Sequence, residues 1–222
     1  MAVHDFNAQR VFVDGELVAG AAIAATREQG NYLANVLRLA DGDRILVFNG
    51  RDGEWLCGIE MLGRRALLLR AIEQTRALTP AGRITYLFAP LKRARLDYMV
   101  QKAVEMGVAR LAPVMTRRTI AERVNLERMR ANAVEAAEQC GILSLPDIDE
   151  PVALEKALTA WDAQVPLIFC DESAAQANPR AALATLLRDG VASPRAAGVL
   201  IGPEGGFDPG ERALILSQPF AV

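Results

Sequence analysis

The sequence predicts an α/β protein in which a small β-rich module precedes a larger domain built on a parallel sheet. Two observations carry this. Residues 1–75 hold short strand-like runs divided by tight-turn dipeptides, and beyond residue 82 unbroken apolar runs alternate with segments of helical periodicity. A third marks the join: the texture changes over residues 76–82, where Thr79-Pro80-Ala81-Gly82 reads as a linker.

In the first module, Arg10 to Val13 reads as a strand ending at the turn Asp14-Gly15. Thr26 followed by Gln29 is a capping-box pattern, opening a short helix through Tyr32, Val36 and Leu37. After Asp41-Gly42-Asp43 comes the strand Ile45 to Phe48. Asn49-Gly50 and Asp52-Gly53 turn the chain into a second strand, Trp55 to Met61. The Gly63-Arg64-Arg65 turn leads to Ala66 to Ile72. Short strands, tight turns and one helix predict a compact barrel.

The second domain's strand runs are Ile84 to Ala89, Val108 to Val114, Val165 to Cys170 and Gly198 to Ile201. They lack period-two alternation, as strands covered on both faces do. Between the first two, a helix over 97–105 places Leu96, Met99, Val100, Ala103 and Val104 on one face, with Gly107 as its stop. A second helix from Asn125 lines up Leu126, Met129, Ala133, Ala137 and Cys140.

The 222 residues carry a net charge of −2, but the charge is unevenly distributed. Residues 83–130 hold 11 basic side chains against 4 acidic, whereas residues 131–222 hold 5 against 13. A basic block inside an acidic chain predicts a local anion-binding face, or a solvated helix surface paired with nearby acids. Cys57, Cys140 and Cys170 are odd in number and widely spaced. They predict neither a disulfide framework nor a zinc site, but three small buried hydrophobes in a reducing cytoplasm. No apolar run reaches the roughly 18 residues of a membrane span. No metal site is expected.

Three segments could carry chemistry. Leu91-Lys92-Arg93-Ala94-Arg95 and Thr116-Arg117-Arg118-Thr119 each follow a buried strand, where ligands of open α/β sheets collect. Guanidinium forks suit phosphate. The third, Leu200 to Phe207, breaks a strand into a loop with three glycines that lets backbone approach a ligand. Its spacing matches neither a dinucleotide fingerprint nor a P-loop. The single histidine, His4, stands near the start of the chain and supports no hydrolytic triad. That absence favours a reaction driven by positioning, such as transfer from an already activated donor.

Four blocks, "NYLANVLRLADGDRILVFNG", "LKRARLDYMVQKAVEMGVARLAPVMTRR", "AAEQCG" and "LIGPEGGFDPGE", stand in the order found in RsmE-type methyltransferases of the SPOUT superfamily. The chain resembles that family from about Arg10 to its end. The resemblance implies a PUA-like RNA-binding barrel over 1–75 and a SPOUT domain over 83–222, with a trefoil knot where the C-terminus is complete. It implies a homodimer acting on 16S rRNA of the small ribosomal subunit, with S-adenosyl-L-methionine (SAM) as methyl donor to N3 of a uridine. By motif, Phe169, Cys170, Asp171 and Glu172, together with Leu200, Ile201, Gly202, Pro203, Glu204, Gly205 and Gly206, should line the SAM pocket. Arg10, Arg38, Lys92, Arg95, Gln101, Lys102, Arg117 and Arg118 should face RNA, with Arg95, Arg117 and Glu138 as catalytic candidates.

Two departures stand out. Ile142 occupies the place where the family carries an arginine after its "EQCG" block, and the family continues past Val222 into a further loop and helix. The sequence therefore reads as a member lacking its last segment. The alternative is a non-catalytic RNA-binding or ribosome-assembly protein that has lost its SAM pocket. SAM binding separates the two.

Overall fold

The structure, a computed structural model, describes residues 9–63, 66–121, 123–174 and 196–222. His4 and the Arg64-Arg65 turn lie outside them. The chain forms two compact units, Met1–Pro80 with Val134–Leu145, and Ala81–Ala133 with Pro146–Val222.

In the first unit the elements are β1 (Arg10–Phe12), β2 (Ala22–Ala24), α1 (Arg27–Asn31), a π-helical turn (Tyr32–Val36), β3 (Arg44–Phe48), β4 (Glu54–Met61) and β5 (Leu67–Arg76). They make one sheet in the order β1-β3-β4-β5-β2, with β1 parallel to β3 and the other pairs antiparallel. The Thr26–Gln29 capping box is present in both directions. At the far end of this helical stretch Arg38 takes φ 58°, the left-handed region usually left to glycine, and Leu39 N–H reaches back to Leu33 O. Val47, Leu69, Cys57 and Leu33 form a fully covered core. β2 has only three residues, too few to show alternation, and sequence patterning does not reveal it. β5 runs past Ile72 because Glu73, Gln74 and Arg76 still pair with β4 across a bulge, although their polarity breaks the apolar pattern.

A buried ionic cluster closes this unit. Glu54 is 2% exposed and Arg10 4%. Arg10 Nε donates to Glu54 Oε2 (3.2 Å), and Arg76 reaches both carboxylate oxygens (3.1 and 3.0 Å) and Gly141 O (2.8 Å). Thr75 Oγ1 donates to Oε1 (2.9 Å). Arg10, expected above among the RNA-facing cations, is thus a buried structural cation. It is drawn inward because Glu54 would otherwise stand uncompensated. Burial pushes the Glu54 carboxyl up, but hydrogen bonds from Arg76 and Thr75 and the charges of both arginines outweigh it, and its pKa lies below the usual value.

The second unit contains β6 (Ile84–Phe88), α2 (Arg93–Glu105), β7 (Arg110–Met115), β8 (Asp147–Ile148), β9 (Val152–Ala153), α4 (Leu154–Thr159), β10 (Leu167–Cys170), β11 (Ala197–Ile201) and α5 (Pro209–Leu216). Helix α3 (Leu126–Cys140) begins in this unit, and its residues from Val134 onward group with the first. Every strand pair is parallel, in the order β10-β11-β6-β7-β8, with β9 also pairing β7. Helix α2 buries Leu96, Val100, Ala103 and Val104, at the i, i+4, i+7, i+8 spacing. It starts four residues earlier than the sequence suggests, so Arg93 and Arg95 occupy its first turn. Residues 220–222 run beside β10, with Leu167 N–H donating to Phe220 O (2.8 Å) and Val222 N–H to Leu167 O (2.9 Å).

One expectation fails at two positions. Cys57 is buried, but Cys140 and Cys170 are exposed, because each sits at the C-terminal end of its element where the covering layer stops.

Removing one member of a buried ion cluster costs about 3–5 kcal/mol. Glu54→Ala should therefore lower the urea midpoint of the first unit sharply. The wild-type contribution of Glu54 is present above the ordinary carboxylate pKa and is lost as pH falls through its depressed value. An unchanged midpoint at neutral pH would show that the cluster does not support folding.

Candidate active site

The strand order sets where a ligand can sit. The chain enters the sheet at β6, builds β7 and β8 on one side, and returns to place β11 and β10 on the other. The carboxyl ends of β7, β6 and β11 therefore lie side by side at the switch point, the edge where open α/β sheets bind ligands. Ala89 N–H still donates to Ile201 O (3.0 Å), so β6 and β11 stay zipped up to the loop.

That loop is Gly202 to Phe207. Gly206 N–H donates to Pro203 O (2.8 Å), closing a turn, and Gly206 has φ 69°. Gly202 is required for a different reason: a Cβ there would stand 2.5 Å from the Phe207 ring. That ring is fixed edge-on to Phe169 of β10, with centroids 5.3 Å apart. Asp208 then caps α5, accepting from Gly210 N–H (2.9 Å), with Pro209 in the first turn.

Glu211, 4% exposed, ties this loop to β7. Its Oε1 accepts Arg117 N–H (2.7 Å) and its Oε2 accepts Asp208 N–H (3.0 Å). The arginines reach across in the same direction. Arg117 Nη1 donates to Asp208 Oδ1 (2.9 Å), Arg118 Nη1 to Gly205 O (2.8 Å), and Arg95 pairs with Glu204. The Arg95 and Arg117 side chains remain 70% and 66% exposed. A guanidinium has five N–H donors, so each keeps most of its capacity for a ligand.

The structure thus gathers Arg95, Arg117, Arg118, Glu204 and Gly205 at one place. Lys92 lies exposed as the N-cap of α2. Gln101 and Lys102 lie further along α2, roughly 13 Å of helix from its start. Lys102 is engaged with Glu105 (2.8 Å) and stands over the Tyr98 ring. Arg38 and Glu138 belong to the first unit. Glu138 Oε1 accepts Phe12 N–H (2.9 Å), and burial raises its pKa.

Of the expected SAM-lining residues, Phe169 and Leu200 point into the core and can offer only backbone, while Ile201 and Cys170 are exposed at the strand ends. Asp171 is held by Arg212 (2.7 Å), which draws its pKa below the usual range. Asp208, Glu211 and Arg212 were not singled out as site residues from the sequence, although Asp208 followed three residues later by Glu211 is the pattern that opens a helix.

Comparison with known proteins agrees with this geometry. The family described as the RNA methyltransferase domain matches residues 78–222, and that described as the RNA methyltransferase PUA domain matches residues 25–72. A Rickettsia conorii protein named ribosomal RNA small subunit methyltransferase E is 27% identical over 209 residues, covering 94% of this chain and 83% of that protein. Its Synechocystis namesake is 31% identical over 149 residues, covering 65% and 48%. The Neisseria gonorrhoeae protein of the same name, solved with S-adenosyl methionine, superposes with a TM-score of 0.79 at 22% identity, covering 97% of this chain and 88% of that one. A Legionella pneumophila protein solved with bound SAM gives 0.79 at 24% identity, with the same coverage. A parallel-sheet α/β unit with a glycine loop at its switch point, together with a PUA domain, is the class of protein these features define. The chain belongs to the RNA methyltransferase family.

Two measurements check the site. Gly202→Ala must displace Phe207 from Phe169, an overpacking cost of about 1–3 kcal/mol, and should lower the melting temperature. Glu138→Gln keeps the acceptor for Phe12. A raised folded pKa costs stability as pH climbs past the unfolded value, so the variant should be more stable than wild type at pH 7 and equal to it at pH 4. Parallel urea curves at the two pH values report this.

Proposed function

We propose that the protein transfers the methyl group of SAM to N3 of a uridine in 16S rRNA of the small ribosomal subunit, acting as a cytoplasmic homodimer. The observation that carries this reading is the glycine loop Gly202–Gly206 at the sheet's switch point, with Arg95, Arg117 and Arg118 converging on it. Small-subunit ribosomal RNA is in the name of the Rickettsia protein and S-adenosyl methionine is bound in the Neisseria one, while 16S rRNA and uridine N3 follow from the motif resemblance.

The residues fit such a donor. Ile201 presents an apolar side chain at the strand end, nothing stands within 4 Å of a Cβ placed on Gly206, and the Phe169–Phe207 pair holds the loop's shape from beneath. The backbone of Phe169 to Glu172 and of Leu200 to Gly206 would hold SAM, whose sulfonium supplies an activated methyl. The chain's own work is then positioning and charge. Uridine N3 loses its proton as it becomes a nucleophile, leaving negative charge on the uracil carbonyl oxygens. Arg95 and Arg117 hold that charge with donors already fixed by Glu204 and Asp208, so little reorganisation is needed.

The test incubates the protein with small ribosomal subunits and methyl-labelled SAM, then maps modified uridines by mass. A single N3-methyluridine in 16S rRNA is expected. SAM binding without methylation of any rRNA would overturn the assignment. Arg95→Ala and Arg117→Ala should each lower kcat by about 10²–10³-fold, the loss seen when one oxyanion donor is removed. Full activity in both would exclude charge stabilisation by these arginines.

A further inference from the structure

A second cavity lies in the same unit, away from the glycine loop. It occupies about 1100 Å³ between the first turn of α2 and the segment entering α3. Its floor is apolar, formed by Leu91, Ala94, Leu96, Val124, Leu126 and Met129. Its rim is cationic: Lys92, Arg93 and Arg123 are all exposed there. Among the described residues none of the three makes an ion pair.

The fourth cation of the lining, Arg128, differs. It forks onto Asp97, with Nη2–Oδ2 at 2.5 Å and Nε–Oδ1 at 2.9 Å, and Asn132 also donates to that carboxylate (2.7 Å). The Arg128 hydrogen bond holds Asp97 well below the ordinary carboxylate pKa. Asp97 is therefore already satisfied, and among the described residues of the lining Glu127 is the other acid. A rim of three unpaired cations over an apolar floor requires a ligand with both an anionic and an apolar part. A bare anion would leave the floor unused, and an apolar molecule would leave the cations unused.

We infer that this cleft is a subsite for the RNA strand flanking the methylated base. The floor takes an unstacked base, and Lys92, Arg93 and Arg123 take the adjoining phosphates. This rests on the proposed function for the identity of the polymer. Single-stranded RNA is read with its bases splayed onto apolar or guanidinium surfaces, and among the described residues no aromatic side chain lines this cleft, so the aliphatic floor receives the base. Phosphate contacts release counterions, which makes the cations visible in the salt dependence of binding.

The experiment measures binding of a fluorescein-labelled 12-nucleotide oligouridylate to the full chain by anisotropy, at several salt concentrations. Arg93→Ala with Arg123→Ala should weaken binding at least tenfold at low salt. It should also reduce the slope of log K against log salt by about 1.4, near 0.7 per phosphate contact on a single strand. Ala94→Trp fills the floor and should weaken binding with the slope unchanged. Alanine suits Arg93 in the first turn of α2 and Arg123 is exposed ahead of α3, so the fold should persist, which circular dichroism checks. Unchanged affinity and slope in the double variant would overturn the inference. So would uridine monophosphate competing as well as the oligomer, since that defines a free-nucleotide pocket. Methylation of ribosomal subunits is followed in parallel. Wild-type activity with an unchanged KM in the double variant sinks the subsite alone, whereas wild-type inactivity sinks the methyltransferase reading and leaves the anisotropy result to decide the subsite.

Discussion

One buried carboxylate holds the site together. Glu211 accepts one backbone N–H from the loop after β7 and another from the loop after β11, so a single side chain sets the spacing between two strand ends. A carboxylate taken out of water is costly unless its lone pairs are satisfied, and here two backbone donors, one of them at the N-cap of α5, satisfy it. Its seat depends on the turn that Pro209 and Asp208 impose, and that turn depends on Phe207 lying over Gly202. Arg117 gains its direction from the same anchoring, because its main chain is fixed before its side chain reaches Asp208. The geometry at the switch point is thus built from backbone outward.

The sheet beneath it supplies the direction. Because all strand pairs of the second unit are parallel, every carboxyl end faces one edge, and residues far apart in sequence arrive there together. Arg95 meets Glu204 and Arg117 meets Asp208 for this reason alone. No periodicity in the chain specifies either pair.

This explains what the sequence discloses and what it withholds. The apolar runs beginning at Ile84, Val108, Val165 and Gly198 are legible because burial on both faces leaves no alternation to misread. The capping box at Thr26 and the apolar face of α2 are legible for local reasons. The strand ends marked by Lys92–Arg95, Arg117-Arg118 and Gly202–Gly206 are visible as composition. Invisible are features whose cause lies elsewhere in the chain. Arg10 looks like a surface cation until Glu54 and Arg76, more than 40 positions away, enclose it. β2 is too short to show a pattern, and β8 and β9, with two residues each, owe their existence to the edge of β7. The exposure of Cys140 and Cys170 depends on where a covering layer stops, which no local pattern encodes.

The contrast between paired and unpaired cations in the second unit has a kinetic consequence. Arg95, Arg117 and Arg212 each sit against a carboxylate, and from a distance such a pair presents a dipole, whose field decays faster than that of a lone charge. Lys92, Arg93 and Arg123 present monopoles that reach to about the screening length, roughly 8–10 Å in physiological salt. On the proposed function, Lys92, Arg93 and Arg123 would capture an approaching polyanion and Arg95 and Arg117 would align it, so encounter frequency and chemical competence would rest on different side chains.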